Sequence, residues 1–422
     1  MGSQNKEYLH PAVYGCGLFI LVNVGRLPEL FPYLYDLKVG KISIALAITG
    51  VILSRYKTIN KINNSPLSGL LLIFTLLVGI TITFSIWKSH SLEFFQSSFL
   101  PVIIIFYLII GTTKTIKEIQ IYIYSLIVAA AILSYQTITL DWVGRLSVGT
   151  SYDPNDLALI LVTILPLVIA AFITTKKITK IIMLTIIAVM VIAILLTASR
   201  GGFIGLLSVC IYLISTKFIN YKGKSKKWLN KNLLIIPIIG IILWTLVPEQ
   251  NQEQILSITN VESDYNLNDP AGRISIWGRG LEIFFENPYG VGIDTFHIAE
   301  GTISGRYQAP HNSLLQVAVE IGLAGLFIYL FIYKKSYKLL RQMINEKQID
   351  NNINKSRNLY EIYSYALLGS LIGFFITSFF LSQAYAGVFY ILLAIISSLS
   401  YLFINDYKIK LKSELLSSNN AK

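Results

Sequence analysis

The chain predicts an all-α polytopic membrane protein, and three observations predict it. Of 422 residues, 54% are hydrophobic and only 14% charged, with a mean hydropathy of +0.61; soluble domains average about 25% charged residues. Apolar runs of bilayer-spanning length, roughly 17–25 residues, centre on 10–26, 39–54, 67–86, 93–111, 118–137, 155–174, 179–197, 202–219, 232–248, 313–333, 360–381 and 385–404, which makes about twelve transmembrane helices. With a cytoplasmic N-terminus, 26 Lys/Arg fall on inner loops and only Arg26, Lys38, Lys41, Lys88, Arg145, Arg200, Arg273, Arg279 and Arg306 outside, a positive-inside bias. The expectation is one transmembrane domain over 1–422. Both termini are cytoplasmic, 405–422 is a cytoplasmic tail, and one long extracytoplasmic loop, 248–312, lies between helices nine and ten.

The net charge of +12 is scattered between apolar spans and not gathered on one face, which excludes a nucleic-acid binder. Cys16 and Cys210 both fall in spans, and no metal-ligand spacing exists. No internal repeat is present, which weighs against an inverted-repeat transporter.

In chain order, the first span is interrupted by Gly15, Gly17 and Asn23 and is followed by Arg26-Leu27-Pro28 instead of a small-residue cleavage site, so it reads as a membrane helix and not a signal peptide. The first five spans carry almost no ionisable residues and suit a scaffold or lipid groove. Trp87, Lys88 and His90 belong at the outer surface; Trp anchors there, and Lys88 either snorkels or meets an anionic ligand. Before helix six, Asp153 or Asn155 suits the N-cap and Pro154 the first turn. Asp153, Asn155 and Asp156 also crowd that helix mouth beside Arg145, a cluster able to hold a sugar hydroxyl or orient an arginine.

Helix seven ends in Thr197-Ala198-Ser199-Arg200-Gly201-Gly202 and helix eight starts at once. The two glycines allow backbone N–H groups to converge at a helix N-terminus, and Arg200 adds a guanidinium with bidentate geometry for phosphate. The Lys-rich loop 217–231 and the loop 334–358 read as solvated cytoplasmic faces drawn to anionic lipid.

The outer loop is long enough to hold structure of its own. Within 272–286, Ile276, Trp277, Gly280, Ile283 and Phe284 recur at helical spacing, predicting an amphipathic helix on the membrane surface or in a lid, stopped by Asn287-Pro288. Arg273 stands at its start, Arg279 lies within it, and 289–296 is a turn-rich return. Helix ten follows Pro310: Ser313 with Gln316 predicts a capping box, leaving His311 and Asn312 just outside the helix mouth. Glu320, two turns in, is a carboxylate within a span, which marks either function or an interhelical hydrogen bond; Gly322 and Gly325 read as close-packing positions. Gln383 and Tyr385 sit in the short outer turn between the last two spans.

Taken in order, Asp153-Pro154-Asn155-Asp156, Ser199-Arg200-Gly201-Gly202, Arg273 with Trp277, Asn287-Pro288-Tyr289-Gly290-Val291-Gly292 and His311-Asn312 with Glu320, Gly322 and Gly325 resemble the O-antigen ligase family, which includes related O-antigen polymerases and protein O-oligosaccharyltransferases. The resemblance implies a GT-C-like membrane glycosyltransferase in the bacterial inner membrane, its active site facing the periplasm. Such an enzyme moves a glycan from a polyprenyl-diphosphate-linked donor to an acceptor hydroxyl, without metal or other cofactor. Carried over, His311 is the general base and Arg200 and Arg273 the diphosphate clamp. Arg145, Asp153, Asn155, Asp156, Ser199, Arg279, Asn312 and Glu320 are candidate supporting or substrate-binding residues.

Elementary chemistry agrees with that division of labour. The donor already carries an activated leaving group, so catalysis needs cations for the departing diphosphate and a neutral histidine to take the acceptor proton. Inversion by in-line displacement is the expected course. The favoured acceptor is lipid A core, as for a ligase, since no second large outer loop exists; a growing glycan, as for an O-antigen or exopolysaccharide polymerase, is the alternative. A glycolipid flippase would line a path through the membrane with charge, whereas the candidate groups cluster at one surface. A metal enzyme built on Asp153, Asp156 and Glu320 is the remaining alternative.

Overall fold

The computed structural model describes residues 10–53, 58–150, 152–216, 244–257, 269–345 and 355–420. Among the described residues every regular element is helical. The helices that matter here are α1 (Ala12–Val24), α2 (Val39–Leu53), α3 (Ser68–Phe84), α4 (Lys88–Thr112), α5 (Ile116–Thr139), α6 (Pro154–Thr174), α7 (Lys177–Leu196), α8 (Arg200–Ser215), α9 (Glu249–Leu256), α10 (Arg273–Glu286), α11 (Phe296–Ser304), α12 (Ser313–Asn345), α13 (Lys355–Ser378) and α14 (Gly387–Asn420). Seven of them, α4 to α7 and α12 to α14, contain segments long and apolar enough to cross a membrane. Four shorter apolar helices, α1, α2, α3 and α8, coincide with other predicted spans. Most of the predicted span 232–248, the Lys-rich loop 217–231 and residues 258–268 of the outer loop lie outside the described residues.

Helix α6 and the 387–406 part of α14 are largely buried, whereas α7 leaves Ile178, Ile181, Ile182 and Leu184 exposed. Exposed aliphatics on a spanning helix are the face expected to meet lipid tails. Where helices cross in the centre, small residues let the backbones close: a Cβ at Gly202 would lie 2.4 Å from Ala158 Cβ, and one at Gly205 would lie 2.9 Å from Thr377 Oγ1. Gly202 therefore serves packing of α8 on α6, Gly201 faces Phe380, and the Gly202 N–H is taken by the Ser199 cap. Of the N–H groups expected to converge at this helix end, that of Gly202 is thus already bonded.

The loops of one end are bonded to one another. Leu146 N–H donates to Leu196 O, Thr150 N–H to Glu29, Ile86 N–H to Val291 O, and the Asn251 amide to both Gly144 O and Leu196 O. All the candidate site residues lie on or beside these loops. At the opposite end α14 continues helical to Asn420 and α12 to Asn345. The predicted tail is thus helical over 405–420, and the start of the predicted loop 334–358 is a helical extension as far as Asn345.

The largest departure from expectation is in α12, which is broken at Gly322 (φ 78°, ψ −174°). The turn 288–292 clasps the break: Val291 N–H donates to Val319 O, Gly292 N–H to Glu320 O, and Leu323 N–H to Pro288 O. Irregular backbone survives among spanning helices only when its polar groups are satisfied by protein, and Asn287-Pro288-Tyr289-Gly290-Val291-Gly292 does this. Gly290 (φ 94°) and Gly322 approach so closely that a Cβ on either would lie 2.5 Å from the other segment's backbone. Gly322 is therefore a hinge in the chain path and not a helix-packing position.

Candidate functional site at one end of the bundle

The half-helix before the break, Ser313 to Ile321, presents its N-terminus to the bonded loops. Its cap is Asn312, whose Oδ1 accepts from Leu314 and Leu315 N–H at 2.9 and 3.0 Å. The predicted Ser313–Gln316 capping box does not form. Ser313 Oγ donates to Leu381 O and accepts from Gln383 N–H, and Gln316 Oε1 accepts from Ala384 N–H. A polar side chain one position earlier was free to cap, which released these two to hold the turn between α13 and α14.

His311 is held from three sides. Its backbone is left-handed at φ 45°, a conformation that costs a non-glycine residue free energy and persists where the surroundings enforce it. Its N–H donates to Ser382 Oγ at 2.9 Å, and the preceding carbonyl, Pro310 O, accepts from Trp277 Nε1 at 2.9 Å. Trp277 lies one turn after Arg273 on α10, whose buried face, Ile276, Gly280 and Ile283, packs on Phe296, Leu315 and Val319. The amphipathic helix therefore forms as predicted, but its apolar stripe covers the half-helix of α12. Burial lowers the His311 pKa below its ordinary 6.5, and the nearby Arg273 guanidinium lowers it further; Asp153 pulls the other way. The imidazole is neutral at neutral pH.

The second part of the site joins α6 to α8. Asp153 caps α6, accepting from Asn155 and Asp156 N–H at 2.7 and 2.8 Å. That frees Asn155, whose Oδ1 accepts from Arg145 at 2.6 Å and from Ser199 Oγ at 2.8 Å. Arg145 also donates to Thr197 O. Burial lowers its pKa, Asp153 opposes the shift and the charge of Arg200 adds to it, so Arg145, Arg200 and Asp153 share one neighbourhood. Ala198, just before Ser199-Arg200, is also left-handed at φ 47°. Asp156 accepts from Gln383 Nε2 at 2.6 Å. Through Gln383 and Ser382, consecutive in one turn, the Asp156 side and the His311 side are tied together.

Two candidate supporting residues have other partners. Arg279 pairs with the fully buried Glu300 at 2.7 Å and donates to Pro270 O and Gln308. Burial raises the Glu300 pKa, but the Gln308 N–H, Ser304 and Arg279 outweigh it and hold the carboxyl below its usual range. This pair braces α10 against α11 and the return to His311. Glu320 accepts from Asp294 N–H, Phe296 N–H and Tyr385 Oη at 2.9, 3.2 and 2.7 Å. These three bonds tie the outer loop and the last turn to the half-helix, the hydrogen-bonding role foreseen as its alternative. Lys88 is exposed at the start of α4. Ser382 and the Trp277–Pro310 bond were not foreseen; a serine in a turn carries no sequence signal for either.

A bundle of apolar helices whose bonded loops at one end carry Arg145, Arg200, Arg273, His311 and several carboxylates is a polytopic membrane protein with a polar site at that end. Residues 185–330, well under half of the chain, match the family model described as O-Antigen ligase. Over those residues the chain is similar to the O-antigen ligase family, and this similarity supports a membrane glycan-transfer function in broad terms. The matched segment takes in Arg200, Arg273, Arg279, His311, Asn312 and Glu320, and leaves out Arg145, the Asp153–Asp156 cap and the 381–386 turn. None of the curated proteins matches the chain.

Proposed function

We propose that the protein is a metal-independent, inverting glycosyltransferase of the O-antigen ligase type, working at the outer face of a bacterial inner membrane. It uses a polyprenyl-diphosphate-linked glycan as donor and a sugar hydroxyl, that of lipid A core, as acceptor. The observation that carries this reading is the setting of His311, a neutral imidazole in an enforced backbone conformation between the charges of Arg273 and Asp153. A neutral histidine beside a fixed cation suits a base that works next to an anionic leaving group.

In this mechanism the acceptor oxygen attacks the anomeric carbon as the bond from that carbon to the diphosphate oxygen breaks. The electron pair leaves with the polyprenyl diphosphate, and the hydroxyl proton goes to the His311 imidazole. Arg200 and Arg273 neutralise the departing diphosphate, where fixed donors are most effective because they need no reorganisation. Asp153 then stabilises the imidazolium that forms. Arg145, Asn155 and Ser199 keep the turn before Arg200 in place.

The test is reconstitution of the purified chain in liposomes with a polyprenyl-diphosphate oligosaccharide and lipid A core. Single-step transfer to lipid A core supports the ligase reading. A ladder of chain lengths without lipid A core replaces it with a polymerase. Unchanged transfer by His311→Gln removes the assigned base.

A further inference from the structure

A chamber lies against the 381–386 turn. It is a cavity of about 890 Å³ between α1, α2, α4, α6 and the start of α12. Arg26, Lys41, Gln96, Ser97, Ser98 and Gln383 line it. Ser382, which accepts the His311 N–H, also lines it, so one wall of the chamber is the turn that holds the candidate base.

Three features set this chamber apart from a packing defect. Arg26 is left-handed at φ 50°, lies 4.6 Å over the Tyr152 ring and 3.5 Å from Glu29, and keeps a buried Nε with no hydrogen-bond acceptor among the described residues. A buried guanidinium N–H left open is costly unless a ligand completes it. α4 departs from α geometry over Phe95–Phe99, and this π-turn includes Gln96, Ser97 and Ser98 on the chamber wall; such turns recur at functional sites. Between α1 and α2, Phe31, Tyr33, Tyr35 and Leu37 are exposed, a pattern that suits the headgroup level of a membrane.

We infer that this chamber binds the acceptor as a phosphate-bearing glycolipid, with Arg26 and Lys41 on its phosphate and the polar π-turn on its sugars. The inference rests on the proposed function, which puts the donor diphosphate at Arg200 and Arg273. Arg26 lies close enough to Asp156 for their charges to interact, and Gln383 bonds Asp156 from the chamber wall. An acceptor sugar held here is therefore one turn of chain away from His311, whose N–H is bonded to Ser382 on the chamber wall. Arg26 and Lys41 are positioning residues and touch no reacting atom.

The experiment uses the full chain in phosphatidylcholine nanodiscs. Bound lipids are counted by native mass spectrometry with three probes: lipid A core, the same lipid with its phosphates removed, and a polyprenyl-diphosphate oligosaccharide. Wild type should hold two phosphate-bearing lipids, Arg200→Gln/Arg273→Gln one, and Arg26→Gln/Lys41→Gln one. The probe kept by the first variant and lost when all four changes are combined identifies the acceptor's source. In transfer assays Arg26→Gln/Lys41→Gln should raise the acceptor KM about tenfold, the loss expected for one charge-assisted hydrogen bond, with kcat and donor KM unchanged. Arg26→Lys should recover part of that loss. Lys41→Gln alone, on an exposed side chain, should shift acceptor KM in the same direction without risk to folding. Equal weakening of donor and acceptor, two lipids still bound to Arg26→Gln/Lys41→Gln, or equal binding of the dephosphorylated probe would overturn the inference. If wild type binds two lipids, each lost as stated, but transfers nothing, the proposed function fails and the second phosphate-lipid site remains.

Discussion

The break at Gly322 is the most direct place to test how the outer loop governs the site. In Gly322→Ala the new Cβ would stand 2.5 Å from Pro288 O and 2.5 Å from Tyr289 C. The backbone there, φ 78° and ψ −174°, belongs to a region that is essentially glycine-only and costs other residues about 1–3 kcal/mol. Overpacking typically adds about 1–3 kcal/mol, and backing the clasp away weakens the Leu323–Pro288 hydrogen bond. The expected cost is on the order of 2–6 kcal/mol. It falls on the turn that fixes the half-helix bearing His311 at its mouth. In detergent, Gly322→Ala should lower Tm by at least a few degrees and reduce glycan transfer more than it reduces folded yield. Gly79→Ala is the control. Nothing lies within 4 Å of its added methyl, and helix propensity alone should leave it neutral or more stable by about 0.5–1 kcal/mol. A Gly322→Ala protein with wild-type Tm and activity would refute the reasoning that the clasp requires glycine and that the site depends on the clasp.

Other predictions concern the proposed base, His311, and the residues around it. His311→Gln should lower kcat by about 10²–10⁴-fold with folding intact, the usual span for a lost general base. Because burial and Arg273 lower the His311 pKa, the acid limb of the pH–rate profile should have its midpoint below 6.5, with activity rising as pH rises through it and the imidazole loses its proton. Asp153 opposes that shift, so Asp153→Asn should move the midpoint to still lower pH; a move upward would contradict the assignment. Trp277→Phe removes the bond to Pro310 O at a cost of about 0.5–1.5 kcal/mol, which should appear as up to about a tenfold loss of kcat with donor KM unchanged. Incubation with EDTA should leave transfer rates as they were, and loss of activity restored by a divalent cation would reinstate a metal mechanism.

How much of this was legible in the chain depends on the kind of signal. Spans such as 155–174 and 179–197 were readable because lipid demands unbroken apolar length, and α6 and α7 begin and end within two residues of them. The α10 stripe was readable because Ile276, Gly280 and Ile283 keep helical period; what the stripe covers was not. The cap at Asn312 was misread because Ser313–Gln316 satisfies the same local pattern, and only the turn at 381–384 shows that those two side chains are needed elsewhere. Glu320 and Arg279 are conspicuous charges whose structural partners, Asp294, Phe296, Tyr385 and Glu300, are assigned by packing alone.

Composition, apolar length and charge placement by themselves determined that this protein is a helical membrane protein with a polar site at one end, because these are one-dimensional properties that the bilayer reads directly. Tertiary structure alone decided that α12 breaks at Gly322, that the turn 288–292 seals the break, and that Ser382 and Gln383 join His311 to Asp156. Those outcomes depend on which backbone groups find partners when distant segments meet, and that competition has no trace in local sequence.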